Sequence, residues 1–151
     1  MKSYQKNDER LVTRVFQDVF DKYDIMNDLM SLGIHRLWKR EFINYLNPQK
    51  NTTLIDVASG TGDIAKLYLN KISRNGTVYC VDENKEMLNL SKKKNKDHAS
   101  TKWFCNNAEA LPFKNNYFDY YTISFGIRNI NNISNALSEA YRVLKPGGRF
   151  L

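Results

Sequence analysis

One glycine-rich turn limits the folds open to this chain. The stretch TLIDVASGTGDIA, residues 53–65, passes from an apolar segment through Gly60 and Gly62 into an apolar helix start. A turn of this kind between a strand and a helix is a common binding place for nucleotides. Read alone, Gly60-x-Gly62-x-x-Ala65 satisfies the fingerprint for a dinucleotide such as NAD. The sequence around the turn has to decide which nucleotide fits.

After residue 50 the chain alternates between strand-like and helical segments. TLIDVA, TVYCVD, KWFCNN and YFDYYTISF are predicted strands, and DIAKLYLNKI and NKEMLNLSKKK are predicted helices between them. SNALSEAYRVL follows as a helix that Pro146-Gly147-Gly148 ends, and RFL begins a fifth strand. This alternation predicts an α/β fold, a parallel sheet with helices on both faces. Ligands of such sheets lie beyond the carboxyl ends of the strands, where all four complete strands carry polar groups or glycine.

The first 50 residues are predicted to be helical. RLVTRVFQDVF has an apolar stripe at helical spacing, and HRLWKREFINYL places Trp38, Phe42 and Tyr45 near one face. The Met-rich DKYDIMNDLMSLGI lies between them and suits a flexible apolar ligand. We therefore expect a helical segment at residues 1–50 that packs over the active site as a lid, and a nucleotide-binding core at 51–151. Plain packing of the helices on the core is the alternative.

Composition excludes several classes of protein. No apolar run approaches the ~18 residues of a membrane span, and the start lacks a signal core, so a cytoplasmic protein is expected. Much of the net charge of +7 lies in SKKKNK, residues 91–96, without interleaved aromatics, so no nucleic-acid partner is expected. Cys80 and Cys105 are expected to be buried thiols. The two cysteines and the two histidines, His35 and His98, are not spaced as metal ligands are, so no metal site is expected.

Carboxylates near the turn bear on the identity of the nucleotide. Asp82 ends the second strand about 20 residues after Gly62, where an acidic side chain accepts both hydroxyls of an adenosine ribose. Asp63 opens the helix, where it would repel a pyrophosphate; simple capping of the helix is the alternative. The turn also lacks the lysine of a P-loop. A positively charged adenosine cofactor such as S-adenosylmethionine fits better, since Asp56 and Asp63 could offset its charge.

Six stretches of the chain carry a family resemblance. They are KYDIMNDLMSLGIHRLWKR, IDVASGTGDIA, VDENKEML, NAEALPF, FDYYTISFGIRN and RVLKPGGRF. From about Phe16 to Leu151 the chain resembles the class I S-adenosylmethionine-dependent methyltransferases, and among them the ubiquinone/menaquinone biosynthesis C-methyltransferases. RVLKPGG is shared by many methyltransferases, whereas YDIMNDLMSLGIHRLWKR with SFGIRN is more specific to the quinone enzymes. The resemblance implies a Rossmann-like methyltransferase fold of seven strands, in which this chain ends at the start of the fifth.

The resemblance also implies roles for single residues. Thr61 contacts the cofactor, Asp82 holds its ribose, Asn107 and Ala108 lie against the adenine, and Ser124 lies beside the cofactor. Together with Asp56 and the turn residues Ser59, Gly60 and Gly62, they form the expected set of cofactor-binding residues. Ser59 stands where the family usually has glycine, a change that is tolerated if its φ is not positive.

The implied reaction is methyl transfer to a ring carbon of a polyprenyl benzoquinol or demethylmenaquinol. Arg128 and Asn129 are expected to hold the substrate oxygen as its negative charge develops. A structural ion pair between Arg128 and Asp24 is the alternative. The proton acceptor is left open among Tyr23, Asp24, His35 and water.

Two other classes of protein stay open at this point. One is a NAD-binding oxidoreductase domain, and the other is a cofactor-binding fragment without activity. If RFL is only the beginning of a strand, the fourth strand keeps a partly uncovered edge, which invites self-association or a complementing C-terminal polypeptide. With the family resemblance we further expect a bacterial protein, and a polyprenyl quinol substrate adds the expectation of peripheral contact at the inner face of the membrane.

Overall fold

The computed structural model describes residues 34–95 and 99–151. Its helices are α1 (Ile34–Leu46), α2 (Asp63–Lys71), α3 (Lys85–Lys94) and α4 (Ile133–Val143). Its strands are β1 (Thr52–Val57), β2 (Gly76–Asp82), β3 (Thr101–Cys105), β4 (Phe118–Thr122) and β5 (Leu144–Phe150), and a 3₁₀ turn (Ile127–Asn129) lies between β4 and α4. The described residues from Lys39 to Leu151 form one compact unit. The strand–helix alternation predicted for this part of the chain is confirmed.

All five strands lie in one parallel sheet with the order β3-β2-β1-β4-β5. The chain winds outward from β1 to β3 on one side and continues with β4 and β5 on the other, so the order reverses between β1 and β4. Asp56 of β1 is the register partner of Thr122 of β4 at this point. Parallel sheets of this type bind ligands beyond the carboxyl ends of the strands at such a reversal. The predicted Rossmann-like fold is confirmed, and its ligand edge includes the glycine turn.

Apolar side chains cover both faces of the sheet. Leu54 and Ile55 are consecutive in β1 and fully buried, but they belong to different core clusters because strand side chains alternate between faces. The cluster of Leu54 includes residues of α1 and α2, and the cluster of Ile55 includes residues of α4. A strand buried on both faces reads as a continuous apolar run, which explains the composition of β1.

Helix α1 contacts the core mainly through aliphatic residues, and only one of its three aromatic residues takes part. Trp38 and Tyr45 are exposed, whereas Ile43 and Leu46 are buried in the core and Phe42 packs against it. Ile43 and Leu46 are three residues apart in the last turn, so they lie on one face of the helix and pack it on the sheet. The apolar stripe of residues 11–20 and the Met-rich stretch lie outside the described residues, so the lid and the division at residue 50 stay predictions.

The fifth strand is longer than the sequence indicated. It begins at Leu144, directly after α4, and includes the Lys-Pro-Gly-Gly segment as an irregularity in its pairing with β4. Gly147 has a φ of 79°, which suits a bulge that other residues would resist. The expectation of an uncovered β4 edge was wrong, since β5 pairs along β4 and the ring of Phe150 stacks on Tyr121.

The two cysteines differ in their surroundings. Cys80 is fully buried in β2 as expected, but Cys105 is exposed because β3 lies at the edge of the sheet. In residues 34–95 and 99–151 no three His, Cys, Asp or Glu side chains are grouped as metal ligands would be. No helix within these ranges has the length and apolar character needed to cross a membrane.

Candidate functional site

The turn between β1 and α2 depends on residues with a left-handed backbone. Ala58, Gly60 and Gly62 have φ values of 54°, 49° and 78°. The φ angle of Ser59 is not positive. The serine that stands where the family usually has glycine therefore causes no backbone strain. The strained non-glycine position is Ala58, at a conformation that costs roughly 1–2 kcal/mol for an L-residue. Strain of this kind at the end of a strand is typical of a binding turn.

Two close approaches explain why glycine is needed around this turn. A Cβ at Gly62 would lie 2.7 Å from Cη2 of Trp103, which comes from β3. A Cβ at Gly126, after β4, would overlap the Cβ of Ala58. Segments that follow β1 and β4 therefore pack directly on one another at the point where the strand order reverses.

Two side chains at the C-terminal end of α3 hold the turn, one in the helix and one at its C-cap. The Ser91 hydroxyl donates to the Gly60 carbonyl at 2.6 Å, and Nδ2 of Asn95 donates to the Thr61 carbonyl at 3.2 Å. Ser91 is fully buried. The sequence analysis missed both residues, although a serine within the apolar stripe of Leu88 was a usable signal, because buried hydroxyls need partners.

Asp82, at the end of β2, lies against the glycine turn. Its Oδ2 accepts the Gly60 N–H at 2.9 Å, and its Oδ1 accepts the Asn84 N–H at 3.0 Å. An ionised carboxylate has about four lone-pair sites, so each oxygen keeps capacity for a further donor. The two hydroxyls of a ribose match that remaining capacity.

Asp56 is the most deeply buried acid of the site. Oδ1 accepts a hydrogen bond from the Thr122 hydroxyl at 2.8 Å. Burial raises the pKa of Asp56 from 3.8 to about 7; the Thr122 bond and the charge of Lys39 oppose the rise, while Asp63 and Asp82 add to it. This carboxyl therefore changes its charge near neutral pH.

Asp63 forms an ion pair that sequence spacing did not reveal. Nζ of Lys39, on α1, lies 2.7 Å from Oδ2 of Asp63 at the start of α2. Burial acts to raise the pKa of Asp63, but Lys39, the Thr61 hydroxyl and the charge of Lys94 together hold it below its ordinary value. Gly62 is the N-cap of α2 and makes no side-chain cap bond, so the capping alternative for Asp63 was wrong. Because Lys39 offsets its charge, Asp63 excludes a phosphate less strongly than the sequence suggested.

The loop after β3 and the end of β4 carry the other predicted cofactor residues. Asn107 is exposed, and its Oδ1 accepts the Glu109 N–H at 2.6 Å, which shapes the loop. Ala108 is buried in the core, and Ser124 is partly buried two residues beyond β4. Their contacts with a cofactor stay predictions.

Arg128 and Asn129 lie in the 3₁₀ turn that follows β4, and both are exposed. The Asn129 N–H donates to the Gly126 carbonyl at 3.0 Å, so the turn begins at the glycine that packs on Ala58. The Arg128 guanidinium makes no hydrogen bond or ion pair with another described residue. Tyr23 and Asp24 lie outside the described residues, so the Arg128–Asp24 alternative and the proton acceptor stay open.

Two buried polar atoms fit the site for an adenosine cofactor. Oδ2 of Asp56 and Oγ of Ser59 are buried and have no hydrogen-bond partner among the described residues. The weakly polar Cys80 thiol interacts with the Ser59 hydroxyl but is a poor hydrogen-bonding group. Because buried polar groups are normally satisfied, these two atoms mark a place for additional polar groups. The carboxylates of this region accept hydrogen bonds, and the hydroxyl can donate or accept, so together they suit ribose hydroxyls and a cation.

Comparison with known proteins gives one consistent family. A model of the ubiE/COQ5 methyltransferase family matches residues 3–151. A ubiquinone/menaquinone biosynthesis C-methyltransferase UbiE from Rickettsia typhi is 53% identical over 147 residues, 93% of this chain. A mitochondrial 2-methoxy-6-polyprenyl-1,4-benzoquinol methylase from Dictyostelium discoideum is 48% identical across 99% of this chain. This chain spans 59% and 58% of the lengths of those two relatives.

Solved structures agree with the observed fold. The crystal structure of a SAM-dependent methyltransferase from Aquifex aeolicus superposes with a TM-score of 0.66 at 21% identity. The superposition covers 72% of this chain and 58% of that protein. Likeness at this level of identity concerns the fold, a Rossmann-like sheet of the class I methyltransferase type.

Proposed function

This chain belongs to the ubiE/COQ5 methyltransferase family, and from that premise we propose that it transfers a methyl group from S-adenosylmethionine to a ring carbon of a polyprenyl benzoquinol or demethylmenaquinol. The observation that carries the proposal is the 53% identity across 93% of the chain to a UbiE protein, with the predicted glycine turn and Asp82 in contact. The Rickettsia relative is named for ubiquinone and menaquinone biosynthesis and the Dictyostelium relative for a polyprenyl benzoquinol, which supports reduced polyprenyl quinones as the substrate class.

The described residues supply a cradle for the adenosine cofactor. Asp82 has acceptor capacity left for the ribose hydroxyls, and the turn from Ser59 to Gly62 brings its backbone close to the ligand. Asn107 and the buried Ala108 form the wall against which the adenine is proposed to pack. Ser91 and Asn95 hold the turn in place from behind. Such fixed positioning is the main contribution that a protein makes to methyl transfer.

Catalysis then depends on activating the ring that receives the methyl group. When bound, the cofactor supplies an electrophilic methyl group that needs no further activation. A phenolate on the substrate ring raises the nucleophilicity of the neighbouring ring carbon. Arg128 is proposed to hold that oxygen as an anion and Asn129 to donate a hydrogen bond to it. The guanidinium of Arg128 is exposed on the 3₁₀ turn after β4, at the edge of the sheet where the cofactor is proposed to bind.

The substrate class also implies where the protein works. A quinol with a polyprenyl tail is dissolved in a bilayer, so we propose a cytoplasmic protein that meets its substrate at the inner membrane face. Exposed Lys92, Lys93 and Lys94 at the end of α3 and the net charge of +7 favour contact with an anionic lipid surface.

A labelled-methyl assay tests this function. The chain is incubated with methyl-labelled S-adenosylmethionine and either demethylmenaquinol or a methoxy-polyprenyl benzoquinol, and label in the organic phase is counted. We expect transfer to at least one quinol, a loss of about a hundredfold or more in turnover for Arg128→Ala, and ordinary turnover for Lys114→Ala, an exposed cation of a neighbouring loop. Cofactor binding without transfer to either quinol would contradict the proposed reaction.

A further inference from the structure

Phe125 has a backbone conformation that a large side chain rarely adopts. Its φ is 61°, in the left-handed region that favours glycine. The Cβ of an L-residue lies too close to a carbonyl oxygen there, and for a bulky residue the conformation is a genuine outlier. The other non-glycine residues with positive φ in the described chain are alanine, serine, arginine or asparagine. Phe125 is therefore the aromatic residue that this part of the chain holds under backbone strain.

Burial of the side chain does not offset this strain. Phe125 is 51% exposed and belongs to neither core cluster of the described residues. Ile123 and Ile130, on either side of it in the sequence, both pack against the cluster of Ile55. A glycine at residue 125 would relieve the strain and give up little buried apolar surface. What the phenylalanine adds at this position is thus an exposed ring.

The ring lies at the ligand edge of the sheet. Phe125 directly precedes Gly126, which packs on Ala58 of the turn after β1. It directly follows Ser124, which is predicted to lie beside the cofactor, and it precedes the 3₁₀ turn that carries Arg128. Strained residues cluster at ligand-binding positions of this kind, where the surrounding structure holds them in place.

We propose that Phe125 binds the methyl acceptor by stacking its ring on the aromatic ring that receives the methyl group. The inference rests on the proposed function, because it takes a reduced quinone as the acceptor. Stacking fixes the plane of a flat acceptor, whereas Arg128 and Asn129 hold its oxygen. Together the three side chains define which ring carbon faces the methyl group. Phe125 was not among the site residues that the sequence predicted.

Stacking explains why an aromatic residue is kept at a strained position. About half of the Phe125 side chain is in contact with water, so a flat apolar ring that covers it gains from burial as well as from stacking. The close approach of Gly126 to Ala58 fixes the backbone beside the ring. A ring on a fixed backbone orients the acceptor without first having to be ordered itself.

Two other roles for the ring lead to different expectations. If the ring supports the fold, its removal lowers the thermal stability of the chain. If the ring contacts the prenyl tail of the acceptor, two ligands with the same tail are affected alike, whether or not their head group is aromatic. Thermal stability and selectivity for an aromatic head group are therefore the properties to measure.

Calorimetry with two ligands of the same tail isolates the aromatic contact. One ligand is a geranylated benzohydroquinone, kept reduced, and the other is the geranylated cyclohexanediol with the same hydroxyls. Both are titrated in saturating S-adenosylhomocysteine. For Phe125→Leu we expect the affinity for the aromatic ligand to fall roughly ten- to hundredfold and that for the saturated ligand to stay within about threefold. Phe125→Tyr keeps the ring and should keep both affinities within about threefold.

Glycine variants at two positions with positive φ provide the matched control. Phe125→Gly should keep the midpoint of thermal unfolding or raise it by up to about 4 °C, while it weakens binding of the aromatic ligand as Phe125→Leu does. Arg74 is exposed, has a φ of 60° and follows α2 at the end far from the glycine turn. Arg74→Gly should therefore change the midpoint in the same way and leave both affinities unchanged.

The contrary outcomes separate the inference from the proposed function. A clearly lower midpoint for Phe125→Gly would assign the ring to the fold and overturn the inference. Equal weakening of both ligands by Phe125→Leu, or no weakening of either, would also overturn it, while methyl transfer by the unmodified chain in the labelled-methyl assay would leave the proposed function standing. An unmodified chain that binds neither ligand and transfers no label would overturn the proposed function together with the inference.

Discussion

The hydroxyl of Thr122 donates a 2.8 Å hydrogen bond to Oδ1 of Asp56, between the two strands at which the order of the sheet reverses. Both residues are buried, and the other carboxyl oxygen has no hydrogen-bond partner among the described residues. Thr122 is thus the side chain that fixes the orientation of the carboxyl group beneath the proposed cofactor site.

Replacing Thr122 by valine should destabilise the fold. Thr122→Val keeps the side-chain shape but leaves Oδ1 of Asp56 buried without its donor, which costs about 1–3 kcal/mol. Urea denaturation measures the free energy of unfolding of both proteins. Thr77→Val serves as the control, since Thr77 lies on neighbouring β2 and makes no side-chain hydrogen bond with the described residues. A loss no larger than that of the control would contradict the role assigned to Thr122.

The raised pKa of Asp56 predicts a specific dependence of stability on pH. The native state retains the Asp56 proton up to a pKa of about 7, whereas the unfolded chain releases it near 3.8. The contribution of Asp56 to stability is therefore complete below pH 3.8 and is lost as pH rises through about 7. The Asp56→Asn variant cannot ionise, so its stability relative to the unmodified chain should rise across this window by at most about 4 kcal/mol and then level off. Urea denaturation at pH 4 to 8 measures the difference.

Asp119 provides a control of opposite sign. Burial acts to raise its pKa, but Lys145, whose Nζ lies 2.7 Å away, and the amide and hydroxyl of Thr53 hold the pKa below its ordinary value. The contribution of Asp119 is therefore present above its unfolded pKa and is lost in acid. The Asp119→Asn variant should have a lower free energy of unfolding than the unmodified chain at neutral pH. This difference should shrink as the pH falls below 4. If the stability difference changed with pH in the same direction for the Asp56 and Asp119 variants, one of the two pKa shifts would be wrong.

The two glycines of the turn should differ in their tolerance of alanine. At Gly60 the added Cβ meets no atom within 4 Å. The Gly60→Ala variant should therefore lose only the roughly 1–2 kcal/mol of stability that a positive φ costs an alanine. At Gly62 the same strain is joined by a 2.7 Å approach to Trp103, so Gly62→Ala should cost more. Thermal unfolding of both variants gives the order. The double variant Gly62→Ala with Trp103→Phe removes the clashing ring atoms and should recover part of the difference, and no recovery would show that the clash is not the cause.

Sequence reasoning reached the parts of the site that neighbouring residues specify. The glycine turn and Asp82 follow from a strand–turn–helix pattern and a strand end, both of which are local. Lys39 was missed because its partner Asp63 is 24 residues away, and no periodicity links a helix face to the first turn of another helix. The face of α1 that is buried was not specified by its sequence, since aromatic residues dominate its apolar pattern although Ile43 and Leu46 are the residues buried in the core. Tertiary packing decided both points, and it also extended β5 through a Pro-Gly-Gly segment that normally ends an element.

The serine of α3 gives the last prediction. Ser91 is fully buried, and its hydroxyl is 2.6 Å from the Gly60 carbonyl, so Ser91→Ala leaves this carbonyl without its side-chain donor. We expect a loss of about 1–3 kcal/mol in the free energy of unfolding, because a buried acceptor loses its partner. Gly60 also donates its N–H to Asp82, so a looser turn misplaces the carboxylate proposed to hold the ribose. Binding of S-adenosylhomocysteine, measured by calorimetry, should therefore weaken at a temperature where the variant is still fully folded. Asn89→Ala, on the exposed side of the same helix, should change neither property. Reduced stability with unchanged affinity would mean that Ser91 supports the fold without positioning the cofactor turn.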